Sequence, residues 1–212
     1  MPIVWTEKID QHGELAIWHI TENAEVLYAQ LQLNADEKKY YESLQNGKRN
    51  MHWLGSRVLL RTLLKTNHYI DVQLDENNKP YLVNFPFEFS ISHSNDYASV
   101  IIYEGKKVGI DIEKMSEKIL RIQKKFMSEK ELSFISEQHR IEQLYVCWGI
   151  KESLFKLYGK GNLPFIEGIQ IEPFNYPNNN IVKASIQKDE YHQSFNMRYK
   201  KYEDYMLVWC VE

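Results

Sequence analysis

Apolar and polar positions along this chain switch between a helical and a strand-like period. Residues 15–20 form a nearly continuous apolar run around Leu15, Ile17 and Trp18 and read as a strand. Residues 23–31 are helical in composition. Asn34-Ala35-Asp36-Glu37 has the spacing of a capping box, which predicts a helix from there through Tyr40, Tyr41 and Leu44. Residues 53–64, with Trp53, Leu54, Val58, Leu59, Leu60 and Leu63, are long and apolar enough for a buried helix. Asn77-Asn78-Lys79-Pro80 reads as a turn. Residues 89–94 and 98–103 then read as two strands joined at Asn95-Asp96, and Glu104-Gly105 turns into a third strand that carries Asp111.

The second half echoes the first. Ser128-Glu129-Lys130-Glu131 repeats the capping-box spacing, and Trp148 begins the next apolar helix. Asn34 and Trp53 are 19 residues apart, and Ser128 and Trp148 are 20 apart. Four positions past each tryptophan stands Arg57 or Glu152, and eight past stands Arg61 or Lys156. A match at a period of about 95 residues suggests a duplicated α+β unit, divided here as 1–105 and 106–212. The two halves would then pack as a pseudo-dimer with a ligand cleft between them. Two amphipathic helix pairs that agree by chance are the alternative. Beyond residue 165, segments 167–171, 181–186, 194–198 and 205–211 alternate like antiparallel strands, broken by Pro173, Pro177 and Asn178-Asn179-Asn180.

The 212 residues are enough for one large domain or two small ones with real cores. The 14 tyrosines and 5 tryptophans supply core and pocket material. A net charge of −3 excludes an overall electrostatic nucleic-acid binder. Cys147 and Cys210 are too few and too far apart for a Cys/His metal motif, and read as free, reduced thiols. Residues 1–10, beginning with the strand-like Pro2-Ile3-Val4-Trp5, lack the basic and apolar regions of a secretory leader, and no stretch approaches membrane-spanning length. A monomeric cytoplasmic protein is expected.

Chemistry concentrates in two segments. In Val108-Gly109-Ile110-Asp111-Ile112-Glu113-Lys114, two carboxylates interrupt a β-branched run at i and i+2, on one face of a strand. In residues 148–161, Trp148, Glu152 and Lys156 form one helical stripe ahead of Gly159-Lys160-Gly161. Neighbouring carboxylates repel unless a cation joins them. Three hard oxygen ligands, Asp111, Glu113 and Glu152, with Lys156 beside them, suit Mg²⁺ holding a phosphate-bearing substrate. A solvated strand edge with a Glu152–Lys156 surface pair is the alternative. Ser92-His93 at a strand end can donate to phosphate oxygens, and Lys79-Pro80 sets a cation on a rigid turn.

Together, Lys79-Pro80, Ser92-His93-Ser94, Gly109-Ile110-Asp111-Ile112-Glu113-Lys114 and the run from Trp148 to Gly161 resemble the ordered motifs of the 4′-phosphopantetheinyl transferases of the two-halved type. The resemblance covers about residues 33 to 165. It implies an α+β fold of two similar halves, each a small antiparallel sheet packed on a long helix, with a cleft between them. It also implies a reaction: the phosphopantetheine arm of coenzyme A moves to a serine of an acyl or peptidyl carrier protein, and adenosine 3′,5′-bisphosphate leaves. By the family pattern Asp111, Glu113 and Glu152 match Mg²⁺ ligands. Ser92, His93 and Lys156 match contacts to the coenzyme A phosphates, and Asn78, Lys79 and Pro80 match the turn beside the adenine and ribose phosphate. Glu152, His93 and Lys156 are thereby the catalytic candidates.

The chain departs from that pattern where an arginine usually binds the 3′-phosphate. His52 aligns best there, with Lys48 and Arg49 a turn earlier, and the choice among them stays open; Lys38 and Lys39 do not align cleanly with the family's other lysines. Pairing with a metal and Lys156 is expected to lower the Glu152 pKa, which would make it a weak base for the serine proton. Residues 114–130 carry six basic side chains against two acidic ones. They form a candidate docking face for an acidic carrier protein, with Ile119, Ile122, Phe126 and Met127 as apolar anchors; a solvated amphipathic helix is the alternative. Two other functions compete: a Mg²⁺-dependent nucleotide phosphohydrolase, and a catalytically idle module that binds coenzyme A or carrier protein.

Overall fold

The computed structural model describes residues 3–44, 47–178 and 180–212. Met1 and Pro2 of the expected N-terminal strand, and Asn179 of the Asn178-Asn179-Asn180 break, lie outside them. The chain forms two compact units, Met1–Lys106 and Lys107–Glu212.

The first unit runs β1 (Ile3–Lys8), β2 (Gly13–His19), α1 (Ala24–Tyr28), α2 (Ala35–Ser43), α3 (Lys48–Leu63), β3 (Val72–Leu74), β4 (Pro80–Leu82), β5 (Phe87–Ser94) and β6 (Tyr97–Glu104). Its antiparallel sheet has the order β1-β2-β6-β5, with β3 and β4 as a separate hairpin. The capping box at α2 forms as its spacing predicts: the Asn34 side chain accepts from the Glu37 amide, and the Glu37 carboxylate accepts from the Asn34 amide. Helix α3 starts at Lys48, five residues ahead of the expected Trp53. Leu54, Val58, Leu59 and Leu60 on α3 close a core with Trp18, Phe89, Val100 and Ile102.

The second unit runs β7 (Val108–Lys114), α4 (Lys118–Ile122), a 3-10 turn (Gln123–Lys125), α5 (Glu129–Leu132), α6 (Arg140–Tyr158), α7 (Phe165–Gly168), β8 (Ile169–Ile171), β9 (Ile181–Lys188), β10 (Tyr191–Tyr202) and β11 (Tyr205–Val211). Its antiparallel sheet is ordered β7-β11-β10-β9-β8. Helix α6 begins at Arg140 and not at Trp148. Leu144, Tyr145, Val146 and Cys147 are all buried, and a helix buried on most sides lacks the amphipathic stripe that marks a start. The expected strand at 167–171 is shorter by two residues, because Glu167 and Gly168 close α7. Gly159 ends α6 in the left-handed conformation, with φ 69°, where glycine carries no Cβ penalty.

Two devices seat α6. At Gly109 a Cβ would lie 2.0 Å from the Ser153 carbonyl oxygen, so only glycine lets β7 approach the helix this closely. On α6 itself, Lys151 is wholly buried and its ammonium donates to Glu131 Oε1 at 2.8 Å, the Phe165 carbonyl at 2.7 Å and the Ile169 carbonyl at 2.6 Å. Glu131 Oε1 also accepts from the Ile171 amide, and Oε2 takes the Ser128 amide and hydroxyl of the second capping box. One ion pair thus joins α5, α6, α7 and β8. Burial pulls the Lys151 ammonium below the ordinary lysine range, and Glu131 opposes that shift. A buried pair of this kind adds little net stability over an apolar isostere, yet costs heavily when one partner is lost.

The stretch 114–130 is corrected in part. Lys118, Arg121, Lys124, Lys125 and Lys130 are exposed, but Ile119, Phe126 and Met127 are sunk in the core of their own unit and Ile122 packs against it. They anchor the segment to the protein and leave its outer face basic. Among the described residues, no helix is long and apolar enough to cross a membrane.

Candidate active site

In the second unit the odd positions of β7 face α6, as Gly109 shows against Ser153 and strand alternation requires. Asp111 is therefore brought beneath the helix, with its side chain about 5% exposed. Lys156, in the last turn of α6, reaches across to β7: its ammonium lies 2.8 Å from Asp111 Oδ1 and 3.0 Å from the Ile110 carbonyl. The sequence suggested an i, i+4 pair with Glu152; the cation instead spans two elements and neutralises the more buried carboxylate.

Glu152 stands one turn before Lys156, half-buried, and within the field of Asp111. Burial pushes its pKa up, the Asp111 charge pushes it the same way, and Lys156 pulls it back. Lys156 by itself does not lower the Glu152 pKa, because desolvation outweighs the single cation; the lowering expected from a metal and Lys156 together concerns the metal-bound site. A raised carboxyl is a better base near neutrality than an ordinary one. Glu113 lies two residues beyond Asp111 on the same strand face and is partly exposed.

Among the described residues no group of three or more His, Cys, Asp or Glu side chains is placed to hold a metal ion. Two carboxylates, Asp111 and Glu152, sit close enough for the Asp111 charge to oppose ionisation of Glu152. Mg²⁺ is commonly held by one or two carboxylates together with substrate phosphates, so this donor chemistry fits that ion without a closed protein cage.

In the first unit, His93 near the end of β5 is exposed and its ring stacks on that of His52 from α3, with centroids 4.2 Å apart and planes 15° apart. Ser92 is buried and, by strand alternation, faces the opposite side of β5. Lys48 and Arg49 are exposed on the first turn of α3, and Lys38 and Lys39 are exposed on α2. The Asn78-Lys79-Pro80 turn closes the β3–β4 hairpin. Asp75 Oδ1 accepts from the Asn77 and Lys79 amides at 2.8 and 2.9 Å, and Asn78 takes φ 63°, a conformation asparagine tolerates.

Beside that turn lies a cavity of about 630 Å³ whose lining includes Glu37, Tyr40, Trp53, Arg57, Pro80 and Phe89. The Arg57 guanidinium sits 3.8 Å over the Trp53 ring and 3.9 Å from Glu37 Oε1. Burial draws its pKa down to about 10. The sequence placed Arg57 four residues past Trp53 without assigning it a contact; i, i+4 spacing on a helix is the signal that a stack was available. The buried ion pair of Lys151 with Glu131 has no local signal in the sequence. The capping box exposed Glu131's first duty but not its second.

A family model of the 4′-phosphopantetheinyl transferase superfamily matches residues 107–210, almost the whole second unit and all of its carboxylate and lysine cluster. A 4′-phosphopantetheinyl transferase of Bacillus subtilis is 33% identical over 147 residues, covering 66% of this chain and 62% of the relative. One from Aneurinibacillus migulanus is 33% identical over 108 residues, covering 50% and 45%. The mouse L-aminoadipate-semialdehyde dehydrogenase-phosphopantetheinyl transferase is 30% identical over 160 residues, covering 65% and 52%. The chain therefore spans less than two thirds of the length of each of these three relatives. With the motif residues gathered on β7 and α6, and with that segment matched throughout, residues 107–210 carry the 4′-phosphopantetheinyl transferase superfamily domain, and the chain is similar to named members of that family.

Proposed function

We propose that this protein transfers the 4′-phosphopantetheine arm of coenzyme A to a serine hydroxyl of an acyl or peptidyl carrier protein, releasing adenosine 3′,5′-bisphosphate. The observation that carries the reading is the Asp111–Lys156 pair with Glu152 beside it, in the segment that matches the family. Phosphoryl transfer asks for positioning and charge neutralisation more than for covalent help. In this reading the two units form the halves of a pseudo-dimer, divided near residue 106, with coenzyme A in a cleft between them.

Asp111 and Glu152, with Glu113 alongside, would hold Mg²⁺. The ion would supply charge neutralisation at the pyrophosphate when bound. Lys156 holds the Asp111 carboxylate in place and adds fixed positive charge where negative charge develops. Glu152, raised by burial, is suited to accept the serine proton. His93, Lys156 and the Asn78-Lys79-Pro80 turn contact the phosphates and the adenosine end, while Ser92, buried on the opposite side of β5, supports the strand that carries His93. The 3′-phosphate falls to Lys48, Arg49 or His52, and the basic outer face of residues 114–130 meets an acidic carrier protein.

The test incubates the protein with coenzyme A, Mg²⁺ and an apo carrier protein, and reads the carrier by intact mass. A phosphopantetheine adduct on serine, lost in Asp111→Ala with the fold retained, supports the reading. Release of phosphate products with no adduct points instead to the phosphohydrolase.

A further inference from the structure

His52 entered as one of three candidates for direct contact with a phosphate. Its geometry suits it to a different task. The ring nitrogen Nε2 lies within hydrogen-bond distance of the Asn95 carbonyl, and a carbonyl oxygen only accepts, so Nε2 must carry the proton. In the neutral ring Nδ1 is then an acceptor, which an anionic oxygen would not approach. Asn95 sits at the tip of the β5–β6 hairpin with φ 49°. The same tip is held by the Ile20 amide, just past the end of β2, which donates to the Asp96 carbonyl at 2.7 Å. Two residues before Asn95, His93 stacks nearly parallel to the His52 ring.

We propose that His52 is a positioning residue: its Nε2–H ties α3 to the hairpin tip, and its ring backs the His93 imidazole so that the His93 edge is presented to a phosphate oxygen. The proposal rests on the transferase reading for the identity of that phosphate, and on the stack and hydrogen bond for everything else. It narrows the choice of direct 3′-phosphate contacts to Lys48 and Arg49, the exposed cations on the first turn of α3. An imidazole that is stacked and pinned loses little further freedom when the ligand arrives, which is how preorganisation adds affinity.

Two arms test this. Nitrogen-detected NMR of the histidine rings reads the tautomer of neutral His52 and the ring shifts of His93 without reference to activity. The Nε2–H tautomer is expected, with His93 shifts displaced in His52→Ala and less so in His52→Phe, which keeps the stack. An Nδ1–H tautomer, or His93 shifts indifferent to His52→Ala, overturns the proposal. The second arm is a double-mutant cycle on transfer kinetics. Losing a stack and one neutral hydrogen bond, His52→Ala should raise KM for coenzyme A about tenfold, with the carrier KM unmoved and His52→Phe within about threefold. Adding His52→Ala to His93→Ala should cost little more, because His52 acts through His93. Fully multiplicative effects, or His52→Phe as damaging as His52→Ala, would mean that His52 touches the ligand itself. If wild type forms no holo carrier, the transferase reading fails, and the NMR arm alone decides the fate of the pair.

Discussion

Replacing Lys151 by Met keeps most of the unbranched side chain and removes its charge from a site with no exposure at all. Three hydrogen bonds disappear, to Glu131 Oε1 and to the Phe165 and Ile169 carbonyls. Glu131 keeps its bonds from the Ile171 amide and from Ser128, but its negative charge stays buried without a counter-ion. Breaking a buried pair by removing one partner costs about 3–5 kcal/mol. The similar volume of Met avoids a cavity term, and the two orphaned carbonyls push the other way, so a loss of about 4 kcal/mol is expected. That is a large part of the 5–15 kcal/mol, roughly, that holds a domain together. Hydrogen exchange at the α6 amides reads the second unit by itself, and protection there should fall by about three orders of magnitude, at about 1.4 kcal/mol per decade. Glu131→Gln in the same chain should recover roughly half, because the amide oxygen still caps α5 and no charge remains buried. A single variant that loses under about 1 kcal/mol would show that the pair does not organise α6, and the reasoning would fail.

Three further outcomes follow from the site and its supports. Gly109→Ala drives a methyl into the Ser153 carbonyl and should cost about 3 kcal/mol or more, as overpacking against backbone does; thermal unfolding that matches wild type would contradict the close approach. Lys156→Met leaves Asp111 and Glu152 without their shared cation and should lower kcat about 10²-fold or more with a smaller change in KM for coenzyme A, read by single-turnover transfer; a pure KM effect would make Lys156 a binding residue only. Charge reversal at Arg121 and Lys125, both exposed, should raise the KM for carrier protein about tenfold at low salt and less at high salt. Unchanged carrier kinetics would locate docking elsewhere.

Much of the framework is written in local patterns. Both capping boxes form as their spacing requires, and the Asn95-Asp96 hairpin falls where two alternating runs meet. These features depend on residues within a few positions of each other. The start of α6 was hidden because a helix buried nearly all round carries no period to read. At the site, Asp111 is legible as an interruption in a β-branched run, and Glu152 as part of one helical stripe with Trp148 and Lys156. The partner of Lys156 was not, since strand-to-helix contacts 45 residues apart leave no local mark. The same holds for Lys151, read only as part of a motif, and for the His52–His93 stack, whose members lie on different elements. The anchors expected at Ile119, Phe126 and Met127 failed for a related reason. Apolar residues in a short basic stretch can face either a partner or their own core, and spacing over so few turns does not decide between them.

The most direct measurement of the central claim is the intact mass of an apo carrier protein after incubation with this protein, coenzyme A and Mg²⁺, with adenosine 3′,5′-bisphosphate followed in the same sample. The account predicts one phosphopantetheine added to a carrier serine for each bisphosphate released, and neither product with Lys156→Met on the timescale of wild type. Bisphosphate without carrier modification, or coenzyme A bound and recovered unchanged, would contradict it.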